Sequence, residues 1–318
     1  MPIYNDWNAL SLLLPKLDQE LNTHNLLATI ILVDDCSTIA VPRNLSPKDF
    51  KAIENIDVLS LRRNVGHQRA IATGLCYIAA KIACCRYVVI MDADGEDDPR
   101  DVPALVRECI AHDGNKIIFA ARLRRSESLV FKCFYNLYRL VHFLLTGIKV
   151  RVGNFSVVPV ASLQHLIAVS ELWNHYAAAV HKAKLPLKLM PTRRGSRLAG
   201  SSHMDIVALF VHGFSAMAVF GDRIGVRLII LFSLGILLDL VVLVGIIVIK
   251  LFTTSALPEW ATYTTGLLLV ILIQMFLVVL SYAFIILASR ETMNFIPSRD
   301  YIHIAGKIRR VYAQKTPA

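Results

Sequence analysis

The stretch Val88-Val89-Ile90-Met91-Asp92-Ala93-Asp94 decides the fold. Its unbroken apolar run is typical of a strand that is buried on both faces, and two carboxylates follow it at positions i and i+2. In sheets of parallel strands, ligands bind beyond the carboxyl ends of the strands. Oxygen ligands of this kind suit Mg²⁺ or Mn²⁺, which would bridge a nucleotide diphosphate. Alone the pattern is weak, because acidic loops after strands are common and usually only solvated.

Strands and helices alternate around this stretch over the first 120 residues. Continuous apolar runs predict four strands, at Ala28–Val33, Val58–Leu61, Tyr87–Met91 and Lys116–Ala120. Segments of helical periodicity lie between them, at Ala9–Leu21, Gln68–Ala83 and Val102–Ala111. This order predicts an α/β domain of the Rossmann-like kind, with a mainly parallel sheet covered by helices on both faces.

The composition indicates that part of the 318-residue chain is not in water. Hydrophobic residues make up 55% and charged residues 18%, against about 45–50% and about 25% in soluble domains. A disordered protein is therefore excluded. The net charge of +10 suits anionic phospholipid, phosphorylated substrates or RNA. All six cysteines lie in the N-terminal half without paired metal-site spacing, which predicts reduced structural thiols.

Two apolar runs in the last third predict membrane spans, at Leu228–Ile249 and Thr264–Ala288. Buried helices of a soluble core are the alternative. Basic residues flank the pair on its outer sides, whereas the connection is short and nearly neutral, which places both ends in the cytoplasm. We also expect a cytosolic N-terminal part, since no signal-peptide pattern precedes it. Asp239, inside the first span, predicts a polar contact with Gln274 or a partner subunit, unless it is a tolerated protonated residue.

Residues 122–151 carry seven basic side chains and one acid. Within them Leu129–Leu145 mixes aromatic and aliphatic residues with bases, which is typical of a helix lying in a membrane interface. A basic amphipathic helix packed on the domain is the alternative. Ile206–Phe220 is a second candidate interfacial helix. RNA binding is disfavoured, because the basic residues alternate with lipid-compatible aliphatic residues and precede two membrane spans.

Four motifs now give a resemblance, because they occur in one order over about 100 residues. They are Pro2-Ile3-Tyr4-Asn5-Asp6, Val33-Asp34-Asp35-Cys36-Ser37, Asn64-Val65-Gly66-His67-Gln68-Arg69-Ala70, and Asp92-Ala93-Asp94-Gly95-Glu96-Asp97-Asp98-Pro99. This order resembles family 2 glycosyltransferases of the GT-A fold. The stretch Arg197-Leu198-Ala199-Gly200-Ser201-Ser202-His203-Met204, followed by two spans, resembles their polyisoprenyl-phosphate branch, which includes dolichyl-phosphate mannose synthases and undecaprenyl-phosphate glucosyltransferases.

The resemblance implies an inverting transfer of a sugar from a UDP- or GDP-sugar to polyisoprenyl phosphate. It places Asp92 and Asp94 on the metal and sugar, and Arg197 on the diphosphate. It implies a nucleotide-sugar pocket formed by Pro2, Tyr4, Asn5, Asp35, Asn64, Gly66 and Ser202. For the acceptor phosphate and lipid we expect Arg122, Arg125, Lys149 and Arg151. Relatives of this build can be oligomeric.

The sequence departs from the family pattern at several positions. Arg151-Val152-Gly153-Asn154-Phe155-Ser156 stands where many relatives carry acids, so either Asp98 or another acid is the base, or none is needed. We favour the latter, because a lipid phosphate is already largely anionic at neutral pH. Ile39 replaces a frequent acid, and His203 a frequent lysine. Two other functions stay open: transfer to a hydroxyl acceptor, and a non-catalytic membrane-anchored relative.

These expectations divide the chain into four parts. Residues 1–125 form the nucleotide-sugar-binding core, 126–225 the acceptor region with its juxtamembrane helices, 226–290 a transmembrane hairpin, and 291–318 a basic cytoplasmic tail. Because only Met1 precedes Pro2 where relatives have a complete strand, we expect that the natural chain starts upstream or that this form is poorly stable.

Overall fold

The computed structural model describes residues 1–42, 45, 49–82, 85–122, 139–148, 153–193, 195–200, 213–252, 259–291 and 295–314. They form two compact units. The first comprises residues 1–132, 150–219 and 295–318, and the second residues 133–149 and 220–294. Leu129–Leu145 and Ile206–Phe220 therefore lie only partly within the described residues.

The first unit contains every strand of the described chain, in an alternating α/β order. Its strands are β1 (Pro2–Ile3), β2 (Ala28–Asp34), β3 (Ile53–Leu61), β4 (Tyr87–Ile90), β5 (Ile117–Arg122), β6 (Ser156–Pro159), β7 (Leu187–Thr192) and β8 (Ala305–Ala313). Its helices are α1 (Trp7–Thr23), α2 (His67–Lys81), α3 (Asp101–Ala111), α4 (Val160–Ile167) and α5 (Tyr176–Lys182), with the short α8 (Pro297–Asp300) near the end. The predicted elements of the first 120 residues are confirmed, and β3 begins five residues earlier than expected.

The strands form two mixed sheets rather than one mainly parallel sheet. One has the order β1-β2-β3-β8 and the other β4-β6-β5-β7. Strands β1, β2 and β3 are parallel, as are β5 and β7. Antiparallel pairing enters through β6, which lies between β4 and β5, and through β8, which pairs with β3. Both strands come from parts of the chain in which no strand is predicted from local sequence pattern.

Apolar side chains bury both faces of these sheets. Helix α1 contributes Leu10, Leu13, Leu14 and Leu17 to a core that includes Leu32, Ile53 and Met91. Helix α2 buries Ile71, Leu75 and Cys76 against Val88, Ile90 and Phe119. The helical spacing of these residues and the two-sided burial of the strands hold the carboxyl ends of β2, β3 and β4 in fixed positions.

Residues 291–318, which we expected to form a basic tail, contribute structure to the first unit. Strand β8 pairs with β3 from Asn55↔Ala313 to Leu61↔Ala305. Tyr312 packs edge-on against Phe50 with 5.1 Å between ring centroids, and its hydroxyl oxygen accepts a hydrogen bond from the Phe50 backbone N–H. Composition alone did not indicate this strand, because its basic side chains lie at exposed positions of a sheet edge.

The second unit contains two long helices, α6 (Gly221–Phe252) and α7 (Glu259–Glu291). Both are long and apolar enough to cross a membrane: the most apolar 18-residue windows of Gly221–Phe252 and Tyr263–Ala288 have mean hydropathies of 2.9 and 2.8. The helices pack closely where Gly235 faces Met275 and Gly225 faces Ile286. Residues 139–146 are also helical. The Arg227 guanidinium donates to the Leu144 carbonyl oxygen at 2.6 Å, and Gly147, with φ of +75°, ends this helix.

The expected contact between Asp239 and Gln274 is wrong. Asp239 is only 7% exposed, whereas Gln274 is exposed. Among the described residues, the buried Oδ2 atom of Asp239 has no hydrogen-bond partner.

Candidate active site

Acidic side chains follow β4 in a loop whose backbone is fixed by its own carboxylates. The Asp92 N–H donates to Asp97 at 2.9 Å, and the Glu96 N–H donates to Asp94 Oδ1 at 2.9 Å. Asp97 is buried, and Gly95 has φ of +89°, a conformation that favours glycine. The loop thus turns sharply while Asp92 and Asp94 remain partly exposed.

Residues 195–200 pack directly on this loop. The Leu198 N–H donates to the Asp94 carbonyl oxygen, and the Gly195 N–H donates to that of Glu96, both at 2.9 Å. A Cβ at position 195 would lie 2.4 Å from the Gly95 carbonyl oxygen, so only glycine permits this approach. The segment is therefore fixed by backbone contacts, which carry Arg197 to the acidic loop.

Arg197 bridges two carboxylates that are far apart in sequence. Its Nη1 lies 3.1 Å from Asp94 Oδ2 and its Nη2 lies 2.5 Å from Asp6 Oδ1, while its Nε donates to the Ala199 carbonyl oxygen. Its side chain is 16% exposed. Burial raises the pKa of the Asp94 carboxyl, against the lowering effects of the Glu96 N–H and of Arg197. The structure thus brings together two residues that the sequence predicts and one, Asp6, to which it gave no role.

The next cluster holds the turn between β3 and α2. Asp35 is buried, and its two oxygens accept the N–H groups of Val65 at 2.7 Å and Gly66 at 2.8 Å. Asn64 donates to the Asp35 carbonyl oxygen. Burial raises the pKa of Asp35, although these N–H groups oppose the shift. The sequence predicts that Asp35 contacts the nucleotide; here its carboxylate fixes the Asn64–Gly66 turn.

Asn5 and its neighbours join the first loop to the loop after β2. Asn5, with φ of +59°, accepts the Ile39 N–H and donates to Thr38, and its own N–H donates to Ser37. Pro2 is buried in β1, paired with Val33, so it supports the site from the sheet. Tyr4, by contrast, is 38% exposed beside this loop.

His67, Gln68 and Asn154 are functional candidates to which the sequence motifs alone assign no role. His67 Nε2 lies 3.2 Å from Asp92 Oδ1 and 3.0 Å from Asn154 Nδ2. Gln68 donates to Asn154 Oδ1 at 3.1 Å and accepts the Tyr176 N–H at 2.8 Å. Their signal was present in the motif after Asn64 and in the departure at Asn154, but neither shows that the two segments meet.

The charges around His67 and Asp98 differ in sign and effect. Partial burial lowers the pKa of His67, but Asp92, Asp97 and Asp94 outweigh it and raise the pKa above its usual value. Asp98 is hydrogen-bonded to the Arg100 guanidinium, which lowers the pKa of Asp98. A carboxylate stabilised in this way is a poor proton acceptor, which weakens the assignment of Asp98 as a base.

Three predicted acceptor residues, Arg125, Lys149 and Arg151, lie outside the described residues, as does Ser202, which we expected in the nucleotide-sugar pocket. Arg122 ends β5, but its side chain is not described. Within the described residues, no group of three or more His, Cys, Asp or Glu side chains is arranged to bind a metal. Asp92 and Asp94 fit Mg²⁺ or Mn²⁺ only if diphosphate oxygens complete the ligand set, which is the usual arrangement for Mg²⁺.

Comparison with known proteins agrees with this architecture. The family model described as glycosyl transferase family 2 matches residues 1–164. An undecaprenyl-phosphate 4-deoxy-4-formamido-L-arabinose transferase of Klebsiella pneumoniae (strain 342) is 26% identical over 132 residues, which are 42% of this chain and 38% of that protein. The transferase of the same name from Yersinia enterocolitica serotype O:8 / biotype 1B is 24% identical over 167 residues, covering 52% and 48%. The matches thus span less than half the length of these relatives.

Proposed function

Because the chain belongs to glycosyl transferase family 2, we propose that it transfers a sugar from a nucleotide-sugar to a polyisoprenyl phosphate at a membrane surface. The observation that carries this proposal is the convergence of Asp92, Asp94 and Arg197 beyond the end of β4. The names of the similar transferases, which include undecaprenyl phosphate, support the acceptor class. Two helices of membrane-spanning length support its lipid nature.

The proposed reaction is an inverting displacement. An oxygen of the acceptor phosphate forms a bond to the anomeric carbon of the sugar. The bond from that carbon to the diphosphate oxygen breaks on the opposite face, and its electron pair leaves with the nucleoside diphosphate. Arg197 would stabilise the negative charge that develops on the leaving diphosphate, because a guanidinium group forms strong charge-assisted hydrogen bonds to phosphate oxygens.

We propose that Asp94 and Asp92 bind Mg²⁺ or Mn²⁺ together with the donor diphosphate. Their oxygens match the ligand preference of these ions, and their position beyond β4 is where ligands bind in α/β sheets. When bound, such an ion neutralises diphosphate charge. The Asn64–Gly66 turn, fixed by Asp35, would lie under the nucleotide, with Tyr4 and Ser202 beside it.

The surroundings of the site favour a phosphate acceptor over a hydroxyl acceptor. A hydroxyl must lose a proton during attack, whereas a phosphate monoester is mostly anionic at neutral pH. Asn154 supplies an amide where an acid would serve as base, and Asp98 is stabilised in its ionised form by Arg100. Basic residues Arg122, Arg125, Lys149 and Arg151 would bind the acceptor phosphate.

We further propose that α6 and α7 span the membrane with the first unit in the cytoplasm. The first unit includes residues on both sides of the hairpin in sequence, which supports a hairpin whose two ends would lie on the same side of the membrane. Arg223 and Arg227 at the start of α6, and the basic residues after α7, support the cytoplasm as that side. The exposed Leu140 and Leu144 on helix 139–146 suit the lipid interface.

Product formation tests the proposal directly. Detergent-solubilised protein is incubated with a panel of UDP- and GDP-sugars, Mg²⁺ or Mn²⁺ and undecaprenyl phosphate, and glycolipid is sought by mass spectrometry. We expect one donor to give undecaprenyl phosphate that carries a single sugar. Its formation should stop when the cation is chelated. Undecaprenol, which lacks the phosphate, is the matched acceptor control. Product with undecaprenol would favour a hydroxyl acceptor, and donor binding without product would favour a non-catalytic relative.

A further inference from the structure

Asp6 forms an ion pair with Arg197, and the proposed chemistry assigns Asp6 no role. It directly precedes α1, and its carbonyl oxygen accepts the Leu10 N–H in the first turn of that helix. The neighbouring Asn5 is bonded to the loop at residues 37–39. Asp6 Oδ1 thus lies on a firmly held turn, 2.5 Å from Arg197 Nη2.

The two carboxylates that bind Arg197 differ in what else they can bind. Asp94 is the residue proposed to share a cation with the donor diphosphate, so cation and guanidinium would compete for its Oδ2 atom. Asp6 contacts a different nitrogen of the guanidinium, Nη2. The planar guanidinium can therefore release Asp94 through Nη1 while Asp6 still holds it through Nη2. The released Nη1 would then be free to donate to the diphosphate beside the cation.

We infer that Asp6 is a positioning residue, which keeps the Arg197 guanidinium beside the donor diphosphate when a cation occupies Asp94. This inference rests on the proposed function. Without Asp6, the Arg197 side chain would be tied only by its contact with the Ala199 carbonyl oxygen and would have to be ordered anew on each binding event. Asp6 acts on the reaction through Arg197 and contacts neither substrate itself.

Whether Asp6→Asn strengthens or weakens diphosphate binding distinguishes a positioning role of Asp6 from simple charge repulsion between Asp6 and the ligand. Asp6→Asn removes a negative charge near an anionic ligand, which by itself would tighten diphosphate binding. Loss of Arg197 positioning would weaken it. We expect Asp6→Asn to weaken the binding of UDP or GDP, measured by titration calorimetry in Mn²⁺, by about tenfold, the scale of one charged hydrogen bond. Binding of uridine or guanosine should not change, and Asp6→Glu should recover most of the loss.

Two controls complete the experiment. Asp98→Asn removes the same charge from an acid that contacts Arg100 and not Arg197. In an Arg197→Gln background, Asp6→Asn should have no further effect on diphosphate affinity, because its action passes through Arg197. Unchanged or tighter diphosphate binding by Asp6→Asn would overturn the inference alone. Absence of UDP and GDP binding in the unsubstituted protein would contradict the proposed function and this inference together. Additive losses in the double variant would show that Asp6 acts independently of Arg197.

Discussion

Asp94 makes three contacts that shape the site, two through its side chain and one through its backbone. Its Oδ1 fixes the loop through the Glu96 N–H, its Oδ2 pairs with Arg197, and its backbone carbonyl receives the Leu198 N–H. Burial raises its pKa, which means that keeping an ionised carboxylate at this position lowers the stability of the folded protein. A group that is costly to bury and lies at the end of a strand is a functional candidate on physical grounds.

Replacing Asp94 by Asn therefore tests the metal and leaving-group chemistry. The amide keeps the size of the side chain but loses the charge that attracts both a cation and Arg197. We expect Asp94→Asn to reduce turnover on the order of 10²-fold or more, with Mn²⁺ binding weakened in parallel. Asp98→Asn is the matched control in the same loop and should stay within a fewfold of the unsubstituted protein. Equal losses in both variants would contradict a special role for Asp94.

Asn154 provides the test of catalysis without a protein base. It lies 3.0 Å from His67 Nε2, which in turn lies 3.2 Å from Asp92. Asn154→Asp would add a negative charge to this acidic group and oppose an anionic acceptor, so we expect kcat/KM for polyisoprenyl phosphate to fall by about tenfold. Initial rates measured over a range of polyisoprenyl phosphate concentrations give this kcat/KM. A gain in turnover, or new transfer to undecaprenol, would show that a base at this position is useful.

The sequence predicts some of these residues and misses others for a physical reason. Asp92 and Asp94 follow an apolar strand directly, so their place at the sheet edge can be derived from local pattern. Asp6 meets Arg197 across 191 positions, and Gln68 meets Asn154 across 86. Such pairs depend on how loops fold back on one another, and no periodicity in a single sequence records that. The role of Asp35 in fixing a turn likewise needed hydrogen-bond geometry.

Helix α2 carries the site at its first turn and a buried thiol on its inner face. Cys76 is buried in the apolar core that also contains residues of β4 and β5, and burial raises the pKa of its thiol to about 12, from about 9. A group whose folded pKa lies above its unfolded pKa favours the folded state fully at low pH. Its contribution declines once the unfolded chain begins to ionise, which here means between about pH 9 and pH 12.

We therefore expect a loss of stability in alkali that depends on Cys76. The free energy of unfolding should fall by about 1.4 kcal/mol per pH unit above pH 9 from this thiol alone. Denaturant titrations of the detergent-solubilised protein at pH 8, 9, 10 and 11 measure the slope. Cys76→Ala will be less stable at every pH because of the cavity, yet its slope should be shallower. Cys36→Ala, at an exposed position, should keep the original slope. An unchanged slope in Cys76→Ala would contradict the prediction.

Strand β8 allows the energetic weights of two kinds of contact to be compared. Arg310 pairs with Asp57, but its side chain is 56% exposed, and exposed ion pairs contribute little. Gly306, in contrast, lies so close to β3 that a Cβ would be 2.5 Å from the Ser60 carbonyl oxygen. Backbone atoms cannot move aside as a flexible side chain can. Close approach of two strands therefore matters more here than charge.

Gly306→Ala should consequently destabilise the first unit by about 2 kcal/mol, the usual cost of overpacking. Arg310→Ala should change the free energy of unfolding by no more than about 0.5 kcal/mol. Denaturation midpoints of the two variants and the unsubstituted protein give the comparison. A larger loss in Arg310→Ala than in Gly306→Ala would show that the ion pair, and not strand packing, secures β8.

On the scale of the whole molecule, the two apolar helices occur where the sequence predicts them. The structure, however, groups the segments of the chain into units differently from the predicted domains. The apolar runs of the spans are local features, and both helices are present as expected. The units instead join segments that are distant in sequence: β8 with the first unit, and helix 139–146 with the hairpin. Composition along the chain predicts a boundary wherever apolar segments give way to polar or basic ones. It could not reveal which pieces return to the same unit, because packing across 70 or more residues leaves no local signal.

This joining of segments leads to a test of membrane topology. If α6 and α7 span the membrane as proposed, the connection between them would be accessible from the side opposite to the chain segments before α6 and after α7. A cysteine at position 259, introduced by Glu259→Cys in a chain whose other cysteines are replaced, should react with a membrane-impermeant maleimide in right-side-out vesicles. A chain that retains only Cys36, which is exposed in the first unit, should react only in inside-out vesicles or after detergent. Labelling of both from the same side would contradict the proposed pair of spans, and labelling of each from the opposite side would invert the proposed orientation while leaving the spans intact.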